Sequence, residues 1–167
     1  FSAAAFVVSG PAETQQIGFS GLTQNISQSE ANSGVTAYTF TIERTGGTTG
    51  DLTVTGGFAA GTTDVADFGG ALPAGFSVTL LAGSASATFT VNVSGDTAVE
   101  ADESFSLTIS SVTNSAGIAS SITAAAVTAN ATIVNDDTAL PPASVTILAA
   151  AQSLTGSATT PVPTGML

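Results

Sequence analysis

The stretch Ala87-Thr88-Phe89-Thr90-Val91-Asn92-Val93-Ser94-Gly95-Asp96-Thr97-Ala98-Val99-Glu100-Ala101-Asp102-Glu103-Ser104-Phe105-Ser106-Leu107-Thr108-Ile109 decides the fold. Its two ends alternate apolar and polar side chains residue by residue. Successive side chains of an extended chain point to opposite faces, so this alternation marks half-buried β-strands. Phe89, Val91 and Val93 are expected on an inner face, as are Phe105, Leu107 and Ile109. Between the two runs, Gly95 breaks the pattern and Asp96, Glu100, Asp102 and Glu103 crowd into eight residues. That is an acidic loop joining two strands.

The same pattern recurs outward along the chain. Residues 36–42 alternate, with Tyr38, Phe40 and Ile42 on one face. The turn Thr45-Gly46-Gly47-Thr48-Thr49-Gly50 follows, then the strand-like runs 51–55, 76–80 and 127–134. Ala124-Ala125-Ala126 is too short for a helix, and Ile122 and Val127 beside it favour a strand. Short β-branched strands divided by turn residues, with no helix among them, predict an all-β chain folded as an antiparallel β-sandwich. The outer faces carry Thr and Ser rather than Lys and Glu, which leaves sheet edges weakly protected against pairing.

Composition narrows the chemistry. The chain has 167 residues, a formal charge of −11, and no His, Cys or Trp; its only basic side chain is Arg44. One Arg cannot neutralise a nucleic-acid backbone, which excludes that class of partner. Thiolate and imidazole metal sites, a Cys nucleophile, a Ser-His-Asp triad and a phosphate-binding Lys loop all lack their residues. No apolar run reaches the ~18 residues of a membrane span, so membrane insertion is not expected. The paucity of charge, 8% of residues against roughly 25% in an average domain, fits a secreted protein. No basic region precedes the apolar start, and Phe1 is read as a mature terminus.

The carboxylates are clustered. Asp96–Glu103 is the densest group, Asp136 and Asp137 follow the 127–134 run, Asp64 and Asp67 share a Gly-bounded loop, and Glu30 sits in Ser29-Glu30-Ala31-Asn32-Ser33-Gly34. Like charges this crowded call for a counterion. A hard divalent cation, Ca²⁺ above all, takes six to eight oxygen ligands, which converging loops can supply. An isolated carboxylate such as Asp51 is better read as a turn or cap residue.

These acidic elements resemble a known family. Gly95-Asp96-Thr97-Ala98-Val99-Glu100-Ala101-Asp102-Glu103-Ser104-Phe105 resembles the Gly-Asp-x-x-x-Glu-x-Asp-Glu-x-Phe core of the Calx-beta domain. Glu30 before its Asn/Gly turn, Asp67-Phe68, and Ile133-Val134-Asn135-Asp136-Asp137 resemble three further family elements, in the family's order. The likeness covers roughly residues 20–137. It implies an immunoglobulin-like sandwich with Ca²⁺ at one pole. By motif position the implied ligands are Glu30, Asp67, Asp96, Glu100, Glu103, Asp136 and Asp137, with Asp64 and Asp102 behind them. The closing acidic run, two Asp, is shorter than in calcium-rich members of the family.

Catalysis is not expected. A carboxylate pair of the glycosidase kind needs a cleft, usually lined with aromatics; this chain has one Tyr and no Trp, and its Phe residues lie mostly at inward strand positions. Three Asn-x-Ser/Thr sequons, at Asn25, Asn92 and Asn130, arise easily in so Ser/Thr-rich a chain. The expected organisation is an N-terminal apolar extension at 1–13, a sandwich at 14–137, and a C-terminal strand with a Pro/Thr-rich tail at 138–167. The runs 1–8 and 144–149 read as strands beyond the sandwich. Given to a neighbour's sheet, such a strand builds an open head-to-tail polymer. The expectation is therefore a secreted bacterial subunit of an extracellular or cell-surface fibre or biofilm matrix, stiffened by calcium. The alternative is a calcium-dependent adhesion module of a larger surface protein. Thr159-Thr160-Pro161-Val162-Pro163-Thr164 weakly resembles the opening of a C-terminal sorting signal.

Overall fold

Nine strands account for the regular structure in the computed structural model, which describes residues 12–21 and 24–142. They are β1 (Thr14–Phe19), β2 (Gln24–Ser29), β3 (Val35–Thr45), β4 (Leu52–Ala59), β5 (Phe76–Leu80), β6 (Ser86–Ser94), β7 (Glu103–Asn114), β8 (Ala119–Ile122) and β9 (Thr128–Val134). The expected terminal strands at 1–8 and 144–149, and the tail, lie outside the described residues. No helix among the described residues is long and apolar enough to cross a membrane.

The strands form two sheets, ordered β6-β3-β1-β8 and β2-β9-β7-β4-β5, packed as a sandwich. Pairing is antiparallel except at β1–β8 and β2–β9, which are parallel. The second exception follows from how the chain enters. β1 pairs with β3 in one sheet; after a turn with Gly21 at φ 73°, β2 continues along β9 in the other. Neither β1 nor β2 carries the alternation that marks β3, β6 and β7. β2 has Ile26 as its only large apolar residue, so pairing rather than pattern makes it a strand. The Ala124–Ala126 segment is a single 3₁₀ turn between β8 and β9, not the strand its neighbours favour. Ala126 packs there against Gly18, where a Cβ would sit 2.6 Å from the Ala126 methyl.

The inner faces meet as the alternation predicts. Tyr38, Phe40 and Ile42 of β3, Val91 and Val93 of β6, and Phe105, Leu107 and Ile109 of β7 are buried, and Phe89 packs half-buried against them. Burying each large side chain contributes roughly 1.5–3 kcal/mol. The rings interlock: Phe105 meets Tyr38, Phe40, Phe58 and Phe68 at centroid distances of 5.3–6.2 Å. On the outer face, hydroxyl pairs such as Thr55–Ser111 at 2.9 Å link neighbouring strands where charged pairs would ordinarily stand.

Arg44 closes the pole where β3 ends. It is only 2% exposed, and its guanidinium donates to four backbone carbonyls: Ser84 (2.6 Å), Leu81 (2.7 Å), Gly50 (2.8 Å) and Thr48 (3.0 Å). The planar fork thereby ties the 45–50 turn to the 81–85 turn. Replacement Arg44→Met leaves these carbonyls without donors and is expected to cost about 3 kcal/mol or more in urea denaturation. Arg44→Lys is expected to recover only part of this, because a compact ammonium cannot reach all the carbonyls at once.

Candidate metal centre

At the opposite pole, four chain segments bring carboxylates together. The first is the end of β2. Glu30 follows it directly and extends its ladder, its N–H donating to the Val134 carbonyl at 3.3 Å. Thr36 Oγ1 donates to the Glu30 carbonyl at 2.6 Å. Ala31 then takes φ 74°, the only positive φ of a non-glycine among the described residues. Gly95 lies against this bend; a Cβ there would stand 2.0 Å from the Ala31 oxygen. The glycine is thus needed for close approach of the two backbones, and the strained Ala31 turns Glu30 into the pole. Glu30 is 2% exposed.

The second segment is the 3₁₀ turn Ala66–Phe68. Phe68 anchors it by packing edge-on against Phe58 and Phe105, at 5.2 and 5.7 Å. Asp67 on the same turn is buried, with its Oδ2 accepting the Asp64 N–H at 2.7 Å. The third segment is the 95–102 loop with the start of β7. Asp96 closes its own turn by accepting the Ala98 N–H at 2.7 Å, while Glu100 is exposed at the rim. The fourth follows β9. Asn135 exchanges hydrogen bonds with the Asp137 backbone, its N–H reaches Asp102 Oδ1 at 3.2 Å, and Asn32 donates to Asp137 Oδ1.

These segments form two adjoining groups that share Glu30. Carboxylate oxygens of Glu30, Asp67 and Glu100 lie within 4.8 Å of one another, and so do those of Glu30, Asp136 and Asp137. Five of the seven expected ligands therefore converge directly. Asp96 and Glu103 flank them: Asp96 acts on Glu30 and Glu100 through its charge, and Glu103 hydrogen-bonds Asp67. Of the two residues placed behind, Asp64 holds the Asp67 turn and Asp102 faces the Asn135 N–H. Asp51 sits at the Arg44 pole, its carboxylate accepting the Ala82 N–H at 2.8 Å, which is the turn role expected of it. The Asn side chains that fasten Asp137 were not singled out by the sequence. The only signal was their place beside the acidic motifs.

The electrostatics are one-sided. Burial, then the charges of Asp96, Glu100, Asp137 and Asp67, push the Glu30 carboxyl up to about 6. Glu103 rises to about 7 through burial, the hydrogen bond with Asp67 and the charge beside it. Glu100 is raised by partial desolvation and then by Asp96 and its other acidic neighbours. Asp137 Oδ2 is buried with no hydrogen-bond partner. A buried carboxylate oxygen without a donor is costly, and a cation is what this pocket of oxygens fits. The side-chain donors are all carboxylate, the set that suits Ca²⁺ rather than a thiolate- or imidazole-seeking metal.

The sign of the pH dependence follows. In the metal-free protein, unfolded carboxylates titrate near 4.5, whereas folded Glu30 and Glu103 keep their protons to about 6 and about 7. The folded state binds more protons across that window. Its stability is fully present below pH 4.5 and falls as the pH rises towards 7. Thermal unfolding in chelator should show a melting temperature that decreases from pH 5 to 7.5, with a shallower slope in Glu30→Gln. A rise over that range contradicts the electrostatic picture.

No protein-family model matches the chain, and no curated protein matches it. Solved structures do. The crystal structure of the apo form of the Calx CBD1 domain aligns at a TM-score of 0.58 with 18% identity, over 74% of this chain and 98% of that one. The Calx CBD2 domain aligns at 0.58 with 12% identity, over 71% and 85%. CBD12 from CALX1.2 aligns at 0.57 with 18% identity, over 73% of this chain but 44% of that longer one. At such identities the likeness is one of fold: the chain has the all-β sandwich architecture of the Calx-beta domains.

Proposed function

We propose that the protein is a non-catalytic calcium-binding module, secreted to the extracellular or cell-surface space of a bacterium. The observation that carries this reading is the pair of carboxylate groups sharing Glu30, with Asp137 Oδ2 buried and undonated beside them. The chain's only cation, Arg44, is spent on backbone carbonyls at the other pole. A solved structure of similar fold is described as a calcium-binding domain of CALX1.1, which supports the same reading. Calcium at this pole joins the β2–β3 turn, the Ala66–Phe68 turn, the 95–102 loop and the segment after β9. Its charge removes the repulsion that raises the Glu30 and Glu103 carboxyls.

Titration calorimetry and thermal unfolding test this. Ca²⁺ at about a hundred times its Kd should add about 2.7 kcal/mol of stability. Glu30→Gln, which removes the shared ligand, should abolish most of that gain while leaving the fold intact in chelator. No heat and no thermal shift at millimolar Ca²⁺ would overturn the reading.

Such a module serves either as the subunit of a head-to-tail fibre or as an adhesion unit within a larger surface protein. The fibre reading draws on residues 1–8 and 144–149, outside the described residues. Negative-stain microscopy in calcium and in chelator separates the two: regular filaments favour the fibre, dispersed particles the adhesion unit.

A further inference from the structure

The two carboxylate groups that share Glu30 hold their other members differently. Asp67 Oδ2 accepts the N–H of Asp64, three residues before it. Asp137 is held from far along the chain. Asn32, 105 residues earlier on the β2–β3 turn, donates from Nδ2 to Asp137 Oδ1. The amide cannot be turned over, because Asn32 Oδ1 would then face a carboxylate oxygen with no proton between them. The second oxygen of the same carboxylate, Asp137 Oδ2, is buried and has no donor. The last torsion of an Asp side chain has broad preferences, so a carboxylate without a partner rotates. The bond from Asn32 is what makes the two Asp137 oxygens different.

We propose that Asn32 is a positioning residue for the cation at this pole: by occupying Asp137 Oδ1 with a neutral donor, it leaves Oδ2, with the carboxylate charge intact, as the oxygen offered to the ion. The proposal rests on the calcium reading above. Its placement supports it. Asn32 lies two residues after the shared Glu30, with the left-handed backbone of Ala31 between them, so one bend delivers a ligand to both groups and the amide that sets Asp137. The chemistry of the donor supports it too. Lys or Arg at position 32 would pair with Asp137 and compete with a metal ion, and Asp would add to the repulsion at the pole. An amide orients the carboxylate without doing either. The segment after β9 has its own anchors: Asn135 exchanges hydrogen bonds with the Asp137 backbone, and its N–H reaches Asp102 Oδ1 at 3.2 Å. It therefore stays in place without Asn32, and Asn32, which is exposed, leaves no cavity when truncated. What Asn32 adds is the orientation of one carboxylate. Partners that orient metal ligands in this way typically account for roughly 10–100-fold in metal affinity.

Calorimetric titration with Ca²⁺, together with thermal unfolding and NMR in chelator, tests this on the full chain and on Asn32→Ala. The substitution should weaken the Ca²⁺ Kd about tenfold or more. The melting temperature in chelator should stay that of the unaltered chain. In chelator the backbone amide signals of Asn135, Asp136 and Asp137 should shift, while those of Asp67 and Glu100 stay in place, a readout that needs no metal. Equal Kd values in the two proteins, or unmoved signals at 135–137, overturn the proposal and leave the calcium reading standing. A weaker Kd that comes with a lower melting temperature in chelator overturns it too, because Asn32 would then serve the fold rather than the ligand. No calcium binding by the unaltered chain overturns the calcium reading and the proposal with it.

Discussion

The carboxylate of Glu30 has almost no access to water, and its charged neighbours all carry the same sign. This constraint organises one whole end of the molecule. A chain with eleven excess negative charges can close such a pole by keeping protons there or by admitting a cation. The raised Glu30 and Glu103 carboxyls follow the first course, while the Asp137 oxygen is buried without a donor. The strained backbone at Ala31 and the obligatory Gly95 contact belong to the same arrangement, since both bring the Glu30 turn against the end of β6.

The two poles solve one problem in opposite ways. Loops at the end of a sandwich leave backbone carbonyls and side chains that no strand satisfies. At the Arg44 pole a single guanidinium, supplied by the chain itself, collects four carbonyls and joins two turns. At the acidic pole the chain supplies carboxylates with neutral donors only, backbone N–H groups and the Asn32 and Asn135 amides, and no cationic side chain. The core between them is continuous: Phe105 touches rings from β3, β4 and the Ala66–Phe68 turn, so the position of Asp67 is set by the same packing that holds the sheets together.

Much of this was legible from residue order. The alternation over β3, β6 and β7 predicted which side chains face inward, because an inner face rewards burial at every other position. The acidic elements, read as motifs, named the residues that the fold gathers at one end. β1, β2 and β8 were not legible. They are Gln- and Ser-rich or very short, and they are strands because partners on neighbouring strands satisfy their backbones, which local pattern does not reveal. The Ala124–Ala126 segment misled for a related reason: β-branched flanks favour extension, yet close packing of Ala126 on Gly18 favours a tight turn.

The sequence by itself determined the class of fold, the exclusion of nucleic-acid and thiolate or imidazole chemistry, and the list of carboxylates available for a cation. Those depend on composition and on short-range periodicity. Only the tertiary structure decided that Glu30 is the shared member of two groups, that Asp96 and Glu103 flank rather than join them, and that Arg44 is buried instead of balancing the acids. Each of these depends on distances between segments far apart in the chain. Such distances are set by sheet order and by the packing of Phe68, Phe105 and Gly95, not by any local run of residues.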